Sequence, residues 1–214
     1  MITVYAFGSL PPPAIGLSRD LRVLWALEES GLPYRVHALD AMHGDLGSAE
    51  YAKVNPFSLV PSIDDDGFKL FESAAILFYI AEKSGKLLPT DAKGRALATQ
   101  WAFAALDTVE PSITNLAVID AFYADEAWAK ERRPTLVETA KKRLATLERE
   151  LPERPFLTGN DFSAPDILMT TVLRQIQHTD ILSATPNVSA YKARCEDRPA
   201  WKKVYAAYEQ RLAA

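Results

Sequence analysis

"NPFSLVPSIDDDGFKLFES", residues 55–73, is the stretch that decides how the rest of the chain is read. Two prolines flank a short apolar run, an aspartate-rich turn ends on Gly67, and Glu72 and Ser73 bring an acid and a hydroxyl to a helix start. "VPSI" and "FKLF" read as two short strands. Asp64-Asp65-Asp66-Gly67 joins them as a hairpin, with glycine where a tight turn demands a positive φ. Ser73 suits the opening of a helix that runs to about Ser84, and Gly85 stops it.

Working outward, residues 2–7, "ITVYAF", form a β-rich strand, and the triple proline of "GSLPPPAIGLS" breaks any ladder or helix that follows. From Arg19 the pattern is helical, with Leu21, Leu24, Trp25 and Glu28 on one face and Gly31 as the stop. "YRVHAL" (34–39) is a second strand, parallel to the first because a helix connects them, and a short helix is expected over 48–54. Residues 1–85 thus read β-α-β-(α)-β-β-α, a compact α/β unit.

"KLLPTDAKG", which covers residues 86–94 up to Gly94, is a polar linker, and residues 95–214 show helical periodicity and no strand. Leu97, Trp101, Ala105, Leu106 and Val109 make one stripe, expected to end or kink near Pro111. Leu136, Ala140, Leu144, Leu147 and Leu151 make another. "FSAPDI" carries a capping box, Ser163 with Asp166, flanked by Phe162 and Ile167 as a hydrophobic staple. Further helices open near Asn187 and Pro199. Trp101, Phe103 and Phe122 read mostly as core.

The chain has 214 residues, 48% hydrophobic and 24% charged, so an ordinary buried core is within reach. A net charge of −4 argues against a nucleic-acid surface. No apolar run reaches membrane-spanning length, and the start lacks the features of a secretion signal. The single cysteine, Cys195, reads as a small buried filler and fits a reducing, cytoplasmic setting. His37, His43 and His178 show no metal-ligand spacing, so no metal is expected.

The chemistry returns to the opening stretch. A cis Val60-Pro61 bond, expected here, leaves a backbone edge that pairs with an extended peptide. The helix start at Ser73 offers N–H groups and a hydroxyl to a carboxylate, and Glu72 suits an ammonium. Glutathione carries all three partners.

On "RVLWALEESGLPY", "NPFSLVPSIDDDGFKLFESAAILFYIAEK", the linker and "FSAPDI", the whole chain resembles the cytosolic glutathione transferases, and within them a bacterial, theta- or beta-like serine-type member. The resemblance implies a thioredoxin-like N-terminal domain followed by an all-helical C-terminal domain, an α/β plus all-α fold, and a homodimer. It implies that glutathione is the co-substrate, conjugated to a hydrophobic electrophile. It assigns Val60 and Pro61 to the cysteinyl backbone and Glu72 and Ser73 to the γ-glutamyl head, with His43 as a contact for the glycyl end. Ser18, four residues before Arg22, is the hydroxyl expected to stabilise the thiolate, with Ser9 and Tyr5 as rivals. Leu59 stands where many relatives carry Gln or Lys. A non-catalytic glutathione-binding protein on the same fold is the alternative, distinguished by retention on glutathione without turnover.

Overall fold

The computed structural model describes residues 1–152 and 154–213; residue 214, where the expected helical domain ends, lies outside the described residues. Four strands, β1 Ile2–Phe7, β2 Tyr34–Leu39, β3 Ser62–Asp65 and β4 Phe68–Phe71, fall among three helices, α1 Asp20–Ser30, α2 Ala49–Ala52 and α3 Ser73–Ser84. Six further helices follow: α4 Ala92–Phe103, α5 Glu110–Phe122, α6 Ala127–Glu150, α7 Ala164–Arg174, α8 Pro186–Glu196 and α9 Pro199–Ala213. The chain divides into two compact units, residues 89–198 and residues 1–88 together with α9. The sequence pattern draws no such division, since it runs one helical domain from residue 95 to the end.

In the first unit the sheet order is β2-β1-β3-β4, with β1 and β2 parallel and the other pairs antiparallel. Ile2, Val4 and Ala6 alternate inward from β1 and are buried, as a strand with one covered face requires. The hairpin is tighter than the four-residue turn expected. Asp64 and Asp65 belong to β3, and only Asp66 and Gly67 turn, at φ 53° and 95°, the pair of positive values that a type I′ turn needs. Gly31 and Gly85 end α1 and α3 in the left-handed conformation, at φ 75° and 67°. The fully buried Trp25 on α1 meets Trp201 on α9 with ring centroids 4.6 Å apart. A tryptophan that buries ~150–250 Å² stabilises by roughly 4–6 kcal/mol before its ordering entropy, so α9 is firmly part of this unit.

The second unit is helical, and its one pairing outside helices among the described residues is a bridge between Phe156 and Gly159. Pro111 does not end its helix. A π-helical turn over Ala104–Val109 leads straight into α5, and Pro111 sits in the first turn of α5, where its fixed φ suits the helix. The buried stripe runs through Ala98, Ala102, Ala105 and Val109, one residue on from the expected Leu97 and Trp101 at its start, and Leu97 is exposed. Phe103 and Phe122, read as core, are 62% and 51% exposed. The α6 stripe Leu136, Ala140, Leu144, Leu147 is buried, as is Leu151 just past the helix. The capping box at α7 is present, Ser163 N–H donating to Asp166 at 2.9 Å. Cys195 is buried.

Candidate active site

Val60, Glu72 and Ser73 are placed by the turn before β3 and by the β4–α3 junction. The Val60–Pro61 bond is cis. Ahead of it, the Leu59 carbonyl accepts from Tyr51 Oη at 2.6 Å and from Asn55 Nδ2 at 2.7 Å, and Asn55 Oδ1 accepts from the Phe57 N–H at 2.9 Å. Two side chains thus fix the turn through one carbonyl. Val60 packs its side chain against Leu39, Tyr51 and Val54. Its backbone N–H and C=O have no hydrogen-bond partner among the described residues.

Glu72 precedes the first turn of α3 at φ 71° and ψ 114°, a conformation that side chains other than glycine's rarely adopt. Such outliers persist where the surroundings demand them. The Glu72 carboxylate is exposed and has no protein partner among the described residues. Ser73 is the first residue of α3 and is buried at 5% exposure. Its Oγ accepts from Arg22 Nη1 at 3.2 Å. Because the helical ladder starts with Ile76 N–H to Glu72 C=O, the N–H groups of residues 73–75 point outward from the helix end, where an anion is favoured. An acid for an ammonium and a helix start for a carboxylate therefore lie next to each other.

Ser18 sits in the β1–α1 connection, which makes a 3₁₀ turn over Pro12–Ala14. Its hydroxyl donates to Asp20 Oδ1, which leaves its oxygen to accept from Tyr208 Oη on α9 at 2.6 Å. Asp20 is fully buried and also accepts from the Phe7 and Leu21 N–H groups at 3.2 and 3.1 Å and from Arg211 Nη2 at 3.1 Å. Burial pushes the Asp20 carboxyl up, opposed by Ser18, Arg211 and the two N–H groups. Burial, with Asp20 nearby, pushes the Tyr208 hydroxyl to about 12, so it stays protonated as a donor. Ser9 has no hydrogen-bond partner among the described residues.

The other candidates lie apart. Tyr5 packs its ring against His37 and Tyr51, centroids 5.0 and 5.6 Å away, and burial raises its hydroxyl pKa. His43 is on the loop after β2, its side chain 82% exposed and its Nδ1 2.6 Å from Asp40 Oδ2. That bond holds the Asp40 carboxyl below its usual range. A cavity of about 310 Å³ in this unit is lined by Tyr5, His37, Asp64 and Lys69 among others, and by none of Ser18, Val60, Glu72 or Ser73. Among the described residues, no group of three His, Cys, Asp or Glu side chains is arranged to hold a metal and no helix is long and apolar enough to cross a membrane.

Sequence reasoning missed Arg22, Asp20, Tyr51, Asn55 and Tyr208. A charged residue at position 22, beside Leu21 and Val23 in a buried helix, was the one available signal, since a buried guanidinium needs partners.

Residues 14–82 match the family profile "Glutathione S-transferase, N-terminal domain" and residues 103–199 match "Glutathione S-transferase, C-terminal domain". A glutathione S-transferase of Hyoscyamus muticus is 30% identical over 86% of this chain and 91% of its own. Glutathione S-transferase F10 of Arabidopsis thaliana is 28% identical over 97% of this chain and 98% of its own. The solved glutathione transferase of Burkholderia graminis, described with two glutathione molecules bound per subunit, has 31% identity and a TM-score of 0.84 over 96% of this chain and 88% of its own. Plant and bacterial enzymes both stand among these relatives, the curated plant ones being of the Phi class. They carry membership in the family as a whole, a coarser statement than the bacterial, theta- or beta-like serine-type member expected from the sequence.

Proposed function

The chain belongs to the glutathione S-transferase family, and from that premise we propose that it joins the thiolate of glutathione to a hydrophobic electrophile. The observation that carries the proposal is the β4–α3 junction, where an exposed, unpartnered Glu72 held at φ 71° adjoins the open N-terminus of α3. In this reading Glu72 takes the γ-glutamyl ammonium, Ser73 and the helix N–H groups take its carboxylate, and the free backbone of Val60, followed by Pro61, pairs with the cysteinyl residue. His43, anchored by Asp40, serves the glycyl end, where Leu59 offers no polar group.

Ser18 is the hydroxyl proposed to stabilise the thiolate. A free thiol has a pKa of about 8.5, so a donor aimed at the sulfur raises the thiolate fraction at neutral pH. The thiol proton leaves to solvent. The sulfur lone pair then forms the carbon–sulfur bond while a leaving group departs with its electron pair, or adds to an activated double bond whose carbon takes a proton from water.

A homodimer and a cytoplasmic location complete the proposal. Phe57 and Phe68 are 65% and 51% exposed in the first unit, more aromatic surface than a solitary subunit usually leaves in water. The site is tested by retention on immobilised glutathione. The wild-type protein should be retained and eluted by free glutathione, and Glu72→Gln should pass through. Equal retention of both would remove Glu72 from the site.

A further inference from the structure

Ser18 has one proton and two lone pairs to place. The proton goes to Asp20 Oδ1 and one lone pair takes the Tyr208 hydroxyl at 2.6 Å, while Tyr208 Oη itself accepts from the Gly16 N–H at 3.4 Å. The network therefore runs in one direction, Gly16 N–H to Tyr208 O–H to Ser18 O–H to Asp20. All of its members lie in the unit formed by residues 1–88 and α9. Asp20 does not depend on Ser18: the Phe7 and Leu21 N–H groups and Arg211 Nη2 also donate to it, at 3.1–3.2 Å. The Ser18 proton can thus turn to a thiolate and leave a buried carboxylate with three donors.

We propose that Tyr208, near the end of the chain, is a positioning residue for the reaction, its hydroxyl fixing and polarising Ser18 so that the Ser18 proton is directed at the glutathione sulfur. The inference rests on the reading of Ser18 as the thiolate's donor. A hydroxyl that accepts a hydrogen bond donates a stronger one, by about 10–30% per link. With one lone pair held by Tyr208, the hydroxyl also has fewer orientations to lose when the sulfur arrives. The charged and titratable groups facing the pair are Asp20 on α1, with Arg211 and Tyr205 on α9; the Arg211 guanidinium lies 5.2 Å from the Tyr208 ring centroid and Tyr205 stacks on that ring at 6.3 Å. Asp20 competes for the Ser18 proton, and Arg211 weakens that competition by sharing the carboxylate.

The test compares Tyr208→Phe, Ser18→Ala and the double variant with the wild type. It reads the thiol pKa of bound glutathione by thiolate absorbance, with the pH profile of kcat/KM beside it. Tyr208→Phe keeps the ring stack and removes only the hydroxyl. The thiol pKa should rise by about half a unit in Tyr208→Phe and by about one to two units in Ser18→Ala. The double variant should match Ser18→Ala, because the tyrosine acts through the serine, and KM for glutathione should stay unchanged throughout. A lower melting temperature with an unmoved thiol pKa in Tyr208→Phe, beside a shifted Ser18→Ala, would overturn the positioning role and leave Ser18 standing. An unmoved pKa in Ser18→Ala would overturn both, and a shifted Ser9→Ala would then transfer the donor's role to Ser9.

Discussion

Glu72 is held at φ 71° and ψ 114° with its carboxylate in solvent, so Glu72→Gly should make the protein more stable and worse at holding glutathione. A residue other than glycine in such a conformation costs about 1–3 kcal/mol. Glycine adopts it freely, but an unfolded chain with glycine gains entropy worth roughly 0.5–1 kcal/mol. The difference favours the variant by about 1 kcal/mol, which raises Tm by roughly 2–4 °C in a chain of this size. Among the described residues the carboxylate has no protein hydrogen bond whose loss would offset that gain. Binding moves the other way. A hydrogen bond to a charged group is worth about 1.5–3 kcal/mol, and solvent exposure puts Glu72 at the lower end, so affinity should fall roughly tenfold or somewhat more. Scanning calorimetry of the free protein and isothermal titration with glutathione read the two effects separately. Glu72→Gln, which keeps the backbone cost, should lose the affinity with Tm unchanged. A fall in Tm for Glu72→Gly, or unaltered affinity in both variants, would refute the assignment of that conformation to ligand binding.

Three further outcomes follow from the same structure. Leu144→Ala empties a fully buried position of α6 and should cost about 2–5 kcal/mol, measured by denaturant unfolding with no change in glutathione affinity. Asn55→Ala removes one of the two donors on the Leu59 carbonyl and should weaken glutathione binding several-fold by loosening the turn before Val60, checked by titration. Hydrogen bonds from Lys83 and Tyr79 hold the Asp65 carboxyl below its ordinary value of 3.8. Its contribution to stability is thus full above the ordinary carboxylate range and is lost as pH falls through the lowered value. The drop in Tm on acidification should be shallower in Asp65→Asn than in the wild type.

Local rules made the first unit legible. The proline-bounded strand, the Asp66-Gly67 turn and the glycines after α1 and α3 are each set by neighbours in sequence, and all appear where their chemistry puts them. The stripe of α4 lies one residue on from the apolar pattern because its buried positions are the alanines 98 and 102, which weigh little beside the larger but exposed Leu97, and nothing in that pattern marks the π turn at Ala104–Val109. Val60, Glu72 and Ser73 could be picked out because one short segment carries all of them. Asp20, Tyr208 and Arg211 could not. Their meeting spans about 190 residues of chain, through α9 folding back onto α1, and a lone tyrosine in a late amphipathic helix looks like any packing residue.

Whether this protein makes glutathione a nucleophile is decided by the formation of thioether from glutathione and a chlorodinitrobenzene. Conjugation should depend on the enzyme and saturate with glutathione. Its rate should rise with pH through a thiol pKa below the roughly 8.5 of the free thiol, and that rise should shift to higher pH in Ser18→Ala. A protein retained on immobilised glutathione that yields no conjugate with this haloarene, nor with an epoxide or an enal, would contradict it and leave a glutathione-binding protein without catalysis.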